Sequence, residues 1–504
     1  MQLPGLQRRA QRGALAEQVA LADDVVERAR PQPDRERPVR GRLGSRGFAC
    51  VEETVDSRTL RCLHMAATDA LQRETTEVLS RLVRFHTVNP PGAERACQEW
   101  LKAYLEEAGL EVELAGTDPE RPNLVATLHA EDGADGPALG YLSHVDTVLA
   151  DPEDWSRDPW SGEVVDGFLW GRGAQDMKSQ TAAEAVAVAT LARAGWRPAR
   201  GALKLIALVD EETGGEAGAQ WLTENRPDLA RCDWMLNEGA GTVMPFGDRR
   251  LYGVCVAEKG TFRFAVRARG TAGHASVPGL ADNALVKLVP VLARLAEGRA
   301  AYDVAPEPRA VLEALGLDAD DPAGAIERLR EVEPRLATLV EPILGVTMAP
   351  TIIAASPKIN VIPARAEVRV DCRVPPGMDA EQAMKRIREV VGEDTGSVEV
   401  DFIEQVVGNR SPMDSRLMDA IRGWVEDRDP GAEVVPAVLP AFTDSRWFRA
   451  AFPDCVAYGF HPQRELNLYE SWPLVHGADE RIAVRDLGYA ADCFTSIATE
   501  LLGD

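Results

Sequence analysis

Apolar residues recur in two rhythms along this chain, and the change of rhythm marks where one element should give way to the next. From residue 65 to 86, Leu71, Val78, Leu79, Leu82 and Phe85 form a stripe of helical period behind a cap at Thr68 or Asp69. QEWLKAYLEEAGL repeats the helical spacing, whereas NLVATLHA and ALGYLSHVD are short apolar runs of strand length. TAAEAVAVATLARAG reads as a helix closed by Gly195, and GALKLIALVDEE and CDWMLNEG read as two more strands. Strands alternating with helices in this way predict an α/β fold, with a central, mostly parallel sheet covered by helices on both faces.

The middle of the chain has a different texture. TFRFAVRARGTAGHAS alternates like a half-exposed strand, NALVKLVPVLARLAEG is an amphipathic helix and INVIPARAEVRVDCRV is another strand. DAEQAMKRIREVVGED and SVEVDFIEQV supply a second helix and a last strand. This predicts an inserted α+β domain over 258–408, between two segments of the α/β domain at 65–257 and 409–504. Residues 300–345 add a helical segment that could reshape a pocket or a subunit contact.

Composition changes the picture at one end. Residues 1–64 hold about a dozen Arg and no Lys, in runs such as RARPQPDRERPVRGRLGSRG, and are expected to be a disordered or non-native extension ahead of Met65. The whole chain of 504 residues carries a formal net charge of -24, which argues against polyanionic partners, both nucleic acid and anionic membrane. Small molecules or cations are the expected partners. No apolar run is long enough for a membrane span, and the eight cysteines are scattered without a CxxC pair. Reduced thiols in a cytoplasm fit that pattern.

The chemistry gathers at strand ends. ALGYLSHVD finishes on His144 and Asp146, LKLIALVDEE on Glu211 and Glu212, and WMLNEG on Glu238. In an open α/β sheet, ligands collect at the carboxyl ends of the strands, so these groups should meet. Asp176 joins them from a Gly-rich turn at a helix start in LWGRGAQDMKSQTAA. Imidazole with several carboxylates and no cysteine suits catalytic zinc or a related divalent metal such as cobalt or manganese. Crowded carboxylates also repel one another unless a cation neutralises them.

SHVDTV, GRGAQDMK, DEETGG, NEG, GHASVP, NVIP, TDSR and HGADE occur in that order. Together they resemble the two-metal metallopeptidase family of aminoacylase, N-acetylornithine deacetylase, succinyl-diaminopimelate desuccinylase and glutamate carboxypeptidase, from about residue 70 onward. The resemblance implies a hydrolase that cleaves an amide or peptide bond in a small substrate, an N-acyl amino acid or short peptide, with two zinc ions per chain. Asp176 would bridge them, His144 and Glu238 completing one site and Glu212 and His476 the other. Glu211 would be the general base, and Asp146 would hold the His144 tautomer. The peptide between Asp176 and Met177 would be cis. The inserted domain would be a lid and dimerisation domain, making the protein a homodimer. His274 would reach an active site, often across the dimer, to stabilise the oxyanion with help from Asn360. Arg373 is a candidate for a substrate carboxylate, against pairing with Asp371 or another acid of the lid, and Thr443 for the cleft wall.

Two other classes are weighed against this one. A non-catalytic small-molecule-binding protein on the same fold should have lost ligands or the base, and here Glu211 and all five expected ligands are present. An oxidoreductase reading from GRGAQD lacks the GxGxxG between strand and helix that dinucleotide binding requires.

Overall fold

The computed structural model describes residues 57–392 and 398–503, so most of the Arg-rich extension lies outside the described residues. Helix α1 (Ser57–Val83) starts eight residues before Met65 and runs through Thr68 and Asp69. The cap expected there is helix interior, because SRTLRCLHMAA holds neither Gly nor Pro to interrupt the hydrogen-bond ladder. Leu71, Val78, Leu79 and Leu82 are buried, as their stripe predicts. After α2 (Arg95–Glu107) come β1 (Glu111–Ala115), β2 (Asn123–His129), β3 (Ala138–His144), α3 (Lys178–Arg193), β4 (Ala202–Leu208) and β5 (Trp234–Asn237). Then follow β6 (Val243–Phe246) and the long β7 (Arg249–Glu258).

The second half of the chain begins with β8 (Phe264–Arg269) and α4 (Ala284–Glu297). Three short helices follow, α5 (Pro306–Ala314), α6 (Pro322–Val332) and α7 (Pro334–Val340), then β9 (Thr347–Ala354), β10 (Arg365–Val374), α8 (Ala380–Val391) and β11 (Val398–Phe402). The chain closes with α9 (Arg416–Arg428), β12 (Glu433–Leu439), β13 (Val456–Gly459) and α10 (Val484–Leu502).

Two sheets organise these elements. The large one has the order β1-β2-β4-β3-β5-β13-β7-β12, with β6 added to β7. Its middle strands β4, β3, β5 and β13 run parallel, as do β7 and β12, while β1 and β2 close one edge antiparallel. Every residue of β4 is buried, as expected of a parallel strand covered on both faces. The Ala-rich α3 is buried along nearly its whole length, packed against α10. The small sheet is antiparallel throughout, in the order β9-β10-β8-β11. One face of β10, from Ala366 through Val368, Val370 and Cys372 to Val374, packs against α4 and α8.

Helices α5, α6 and α7 fall inside the 258–408 segment in sequence, yet they pack elsewhere. Val311, Leu312, Leu329 and Leu336 share a core with Met244, Leu251 and Val435 of the large sheet. The apolar face of β7 and β12 at that edge gives them a surface to bury. All six cysteines with described side chains are buried and unpaired, and no described helix is long and apolar enough to cross a membrane.

Candidate active site

The carboxyl ends of β3, β4 and β5 lie side by side. β3 ends on His144, Glu211 and Glu212 follow β4 after a tight turn, and Glu238 follows β5 directly. Asp176 stands just before α3, and its peptide bond to Met177 is cis. His476 arrives from the loop after β13, with a left-handed backbone at φ 58° that is uncommon outside glycine.

One carboxylate ties the group together. Asp176 Oδ1 lies 3.2 Å from His144 Nε2, and its other oxygen, Oδ2, lies 3.0 Å from His476 Nε2. His144 Nε2 also faces Glu238 Oε1 at 3.7 Å and Glu211 Oε2 at 4.0 Å, while His476 Nε2 faces Glu212 Oε2 at 3.3 Å. Potential ligand atoms of His144, Asp176 and Glu212 lie within 4.8 Å of one another, as do those of His144, Glu211 and Glu238. Asp176 and the four groups expected to share its two metals with it, His144, Glu238, Glu212 and His476, thus converge, together with Glu211.

Burial sets the charge state of this cluster. Desolvation and the neighbouring acids push Glu211 and Glu238 well above the usual carboxylate range, and burial raises Glu212 as well. Burial opposes ionisation of Asp176, but hydrogen bonds from both histidines outweigh it and hold the acid low. His476 is pushed up to about 10 by its hydrogen bonds to Asp176 and Glu212. Acids raised by burial and mutual repulsion, beside imidazoles that hold their protons, form a cluster whose carboxylates would all ionise only with added cations among them. An oxygen-rich set with two imidazoles and a carboxylate facing two ways fits a pair of divalent cations.

Residues around the cluster hold it in place. Asp146 is fully buried; His144 Nδ1 lies 3.5 Å from its Oδ1, and its carboxylate accepts from the backbone N–H groups of Glu211 at 3.3 Å and Glu212 at 3.2 Å. Asn89 donates to the same carboxylate at 2.9 Å and to Asp210 at 3.2 Å. Asp210, at φ 74°, also accepts from Arg121, Thr213 and the Ala217 N–H, so this third acid of the DEE run anchors the turn. Glu480 accepts from the backbone N–H groups of Gly173, Gln175 and Asp176 and from Arg172, fixing the loop that presents Asp176. In the sequence, Glu480 is marked only as the acid that closes HGADE, and Asn89 carries no mark of its role.

The cluster opens into a cavity of about 390 Å³ lined by Glu211, Glu238, Thr443, His461 and His476 among others. Thr443 lines it, but its hydroxyl donates to Glu258 at 2.7 Å and accepts from Asn237 at 3.1 Å. His461 Nε2 has no hydrogen-bond partner among the described residues, and burial pulls this imidazole down to about 3. Arg373 grips Asp371 through Nε at 2.7 Å and Nη2 at 3.3 Å, and does not line the cavity. His274 and Asn360 are brought together on a short antiparallel ribbon where His274 pairs with Val361 and Ala275 N–H donates to Asn360 O. Both are exposed and outside the cavity.

A sequence profile described as peptidase family M20/M25/M40 matches residues 140–500. A probable carboxypeptidase S-like protein of Dictyostelium discoideum is 24% identical over 374 residues, 70% of this chain and 69% of the relative. The succinyl-diaminopimelate desuccinylase of Rhodospirillum centenum is 27% identical, over 81% of this chain and 92% of its own. For the desuccinylase of Alkalilimnicola ehrlichii the identity is 32%, but the match spans 45% of this chain and only 58% of the relative. Among solved structures, a metallo-carboxypeptidase from Sulfolobus solfataricus superposes with a TM-score of 0.64 at 17% identity, covering 84% of this chain and 98% of that one. Human carnosine dipeptidase 1 does so with 0.63 at 17%, covering 88% and 99%. At these identities the structural likeness speaks for the fold.

Proposed function

Because the chain belongs to the peptidase family M20/M25/M40, we propose that it is a dinuclear metal-dependent hydrolase that cleaves an amide or peptide bond in a small substrate. The observation that carries this reading is Asp176, whose two carboxylate oxygens face two different histidines at 3.2 and 3.0 Å. His144 and Glu238 would hold one ion with Asp176, and Glu212 and His476 the other. Zinc suits this donor set best, with cobalt or manganese as alternatives. When bound, the pair supplies the positive charge and Lewis acidity that polarise an amide carbonyl.

The chain's own residues then move the proton. Glu211 takes one from a water whose oxygen attacks the carbonyl carbon, and returns it to the nitrogen as the C–N bond breaks, leaving a carboxylate and an amine. Asp146 keeps the His144 ring oriented, and Glu480 keeps Asp176 presented. His274 and Asn360 would act as oxyanion donors after closure of the small-sheet domain or from a second subunit. The exposed Ile352 and Ile353 of the edge strand β9 support a homodimer built through that domain. Buried, unpaired cysteines support a reducing cytoplasm.

The test is to load purified protein with zinc, count metal by elemental analysis, and assay a panel of N-acetyl amino acids and dipeptides with and without chelator. Two ions per chain with chelator-sensitive hydrolysis is the expected result. Metal-free protein whose activity ignores chelators would overturn the mechanism.

A further inference from the structure

A second cavity, about 130 Å³, opens beside the first. Gly239, Ala240, Thr242, Leu439, Leu468 and Trp472 line both, so the two spaces share a wall that begins at the residue after Glu238. Its floor is the large sheet, at Gly253 and Cys255 of β7 and Ala437 of β12. Its roof is the helical segment already described, through Val311 of α5 and Leu336, Leu339 and Val340 of α7. Thr242 and Cys255 bring almost the only polar side-chain atoms, and the Cys255 thiol is spent on Gly239 O at 3.2 Å. A charged or strongly polar group entering here would lose its water and gain few partners.

The space is kept open by residue choice. Gly253 sits mid-strand without a left-handed backbone, where a Cβ would meet only Ala240 and Ala437 at ordinary contact, 3.6 and 3.7 Å. A side chain would therefore fit, and a glycine inside a strand that does not need one marks a surface another group approaches. The volume is close to that of the ~150 Å³ apolar cavity known to stay dry and admit benzene, so it holds an apolar group of about six carbon atoms.

We propose that this cavity is a specificity subsite, and that the preferred substrate is an amide bearing an aliphatic or small aromatic group beside the scissile bond. The proposal rests on the hydrolase reading and adds to it the class of group that the α5–α7 segment selects. Such a group can come from the acyl half or from the side chain of the amine half, and two substrate series separate the sources. One lengthens the acyl chain of N-acyl-alanines from acetyl to octanoyl; the other keeps acetyl and varies the amino acid from alanine to norleucine and phenylalanine.

In one series kcat/KM should rise about threefold per added methylene until about six carbons are placed, then level off. Gly253→Val should abolish that rise while leaving N-acetyl-alanine turnover within about twofold of the parent. If the strand does not tolerate it, Leu339→Trp narrows the same space from the roof. Flat responses in both series, with acetyl substrates hydrolysed, overturn the subsite and leave the hydrolase reading standing. If no amide is hydrolysed, that reading falls. Calorimetry then decides the subsite, which stands if N-hexanoyl-alanine or N-acetyl-norleucine binds at least tenfold tighter than N-acetyl-alanine to the parent but not to Gly253→Val, and falls if neither does.

Discussion

At the carboxyl ends of β3, β4 and β5, Asp176 meets two imidazoles, and the loops that carry the cluster are tied by Asp146, Asn89, Asp210 and Glu480. On the ribbon beside the small sheet, His274 reaches only Ser276 in its own turn among the described residues, with Nδ1 2.7 Å from the Ser276 hydroxyl. The first region is preorganised, its geometry paid for by folding. The second holds its imidazole in solvent, and the oxyanion role proposed for it needs a surface brought to it. Polar groups fixed in a half-buried pocket suit metal binding and proton transfer, which tolerate little misplacement. A donor on an exposed ribbon suits a step that waits for substrate or for another subunit.

The sharpest way to break this contrast uses both regions together. Glu211→Gln should retain both metals and lose about 100-fold or more in turnover, since an amide cannot accept the proton. His274→Ala should fall by about 100-fold with metal content unchanged. Mixed chains of the two inactive variants should recover part of the activity if His274 acts across a dimer, as measured on verified heterodimers. Turnover of His274→Ala within threefold of the parent would reduce the ribbon to a turn and erase the contrast.

A smaller effect separates ligands from the residues that hold them. Asp146→Asn should weaken metal affinity by about 10–100-fold while substrate KM at saturating metal stays close to the parent value, because the change acts through His144 and the Glu211–Glu212 turn. Competition with a coloured chelator measures it, and unchanged affinity would mean that the Asp146 backbone carbonyl, 3.0 Å from His144 Nδ1, orients the ring without the carboxylate.

The smallest effect concerns what preorganisation costs. Glu184 on α3 lies fully buried behind the site, where burial pushes it up to about 8 against modest help from Gln180 and Ser143. Its folded pKa lies above the unfolded value, so its contribution to stability is present in full below the ordinary glutamate pKa of 4.5 and is lost as pH rises through about 8. Glu184→Gln should flatten the fall in Tm over that window and raise Tm by a few degrees at its upper end. An identical pH profile in parent and variant would show that the helix adapts around the charge.

How far these regions could be read in advance follows from where their partners lie in sequence. His144, Glu211, Glu212 and Glu238 were legible because each directly extends an apolar strand, and parallel strands in a helix-covered sheet bring such ends together. The roles of Asn89 and Glu480 are not legible, since their partners are 57 and 304 residues away and no local pattern marks such a pairing. The bonding of Arg373 to Asp371 was foreseen only as the competing possibility, because i and i+2 on one strand share a face and reach each other there. The 300–345 segment was legible as helix but not in its placement, which depends on the apolar edge of β7 and β12 rather than on anything in its own spacing.

The long-range bond from Glu480 to Asp176 also sets an order in time. A ribosome adding about 5–20 residues per second needs roughly 15 to 60 s to make the 304 residues between them. For most of that interval, once residue 238 has been made, β3, β4 and β5 can be complete while the Asp176 loop lacks its clamp and His476 does not yet exist. Under the proposed ligand assignment, the pair of ions is complete only on a chain that has already reached His476.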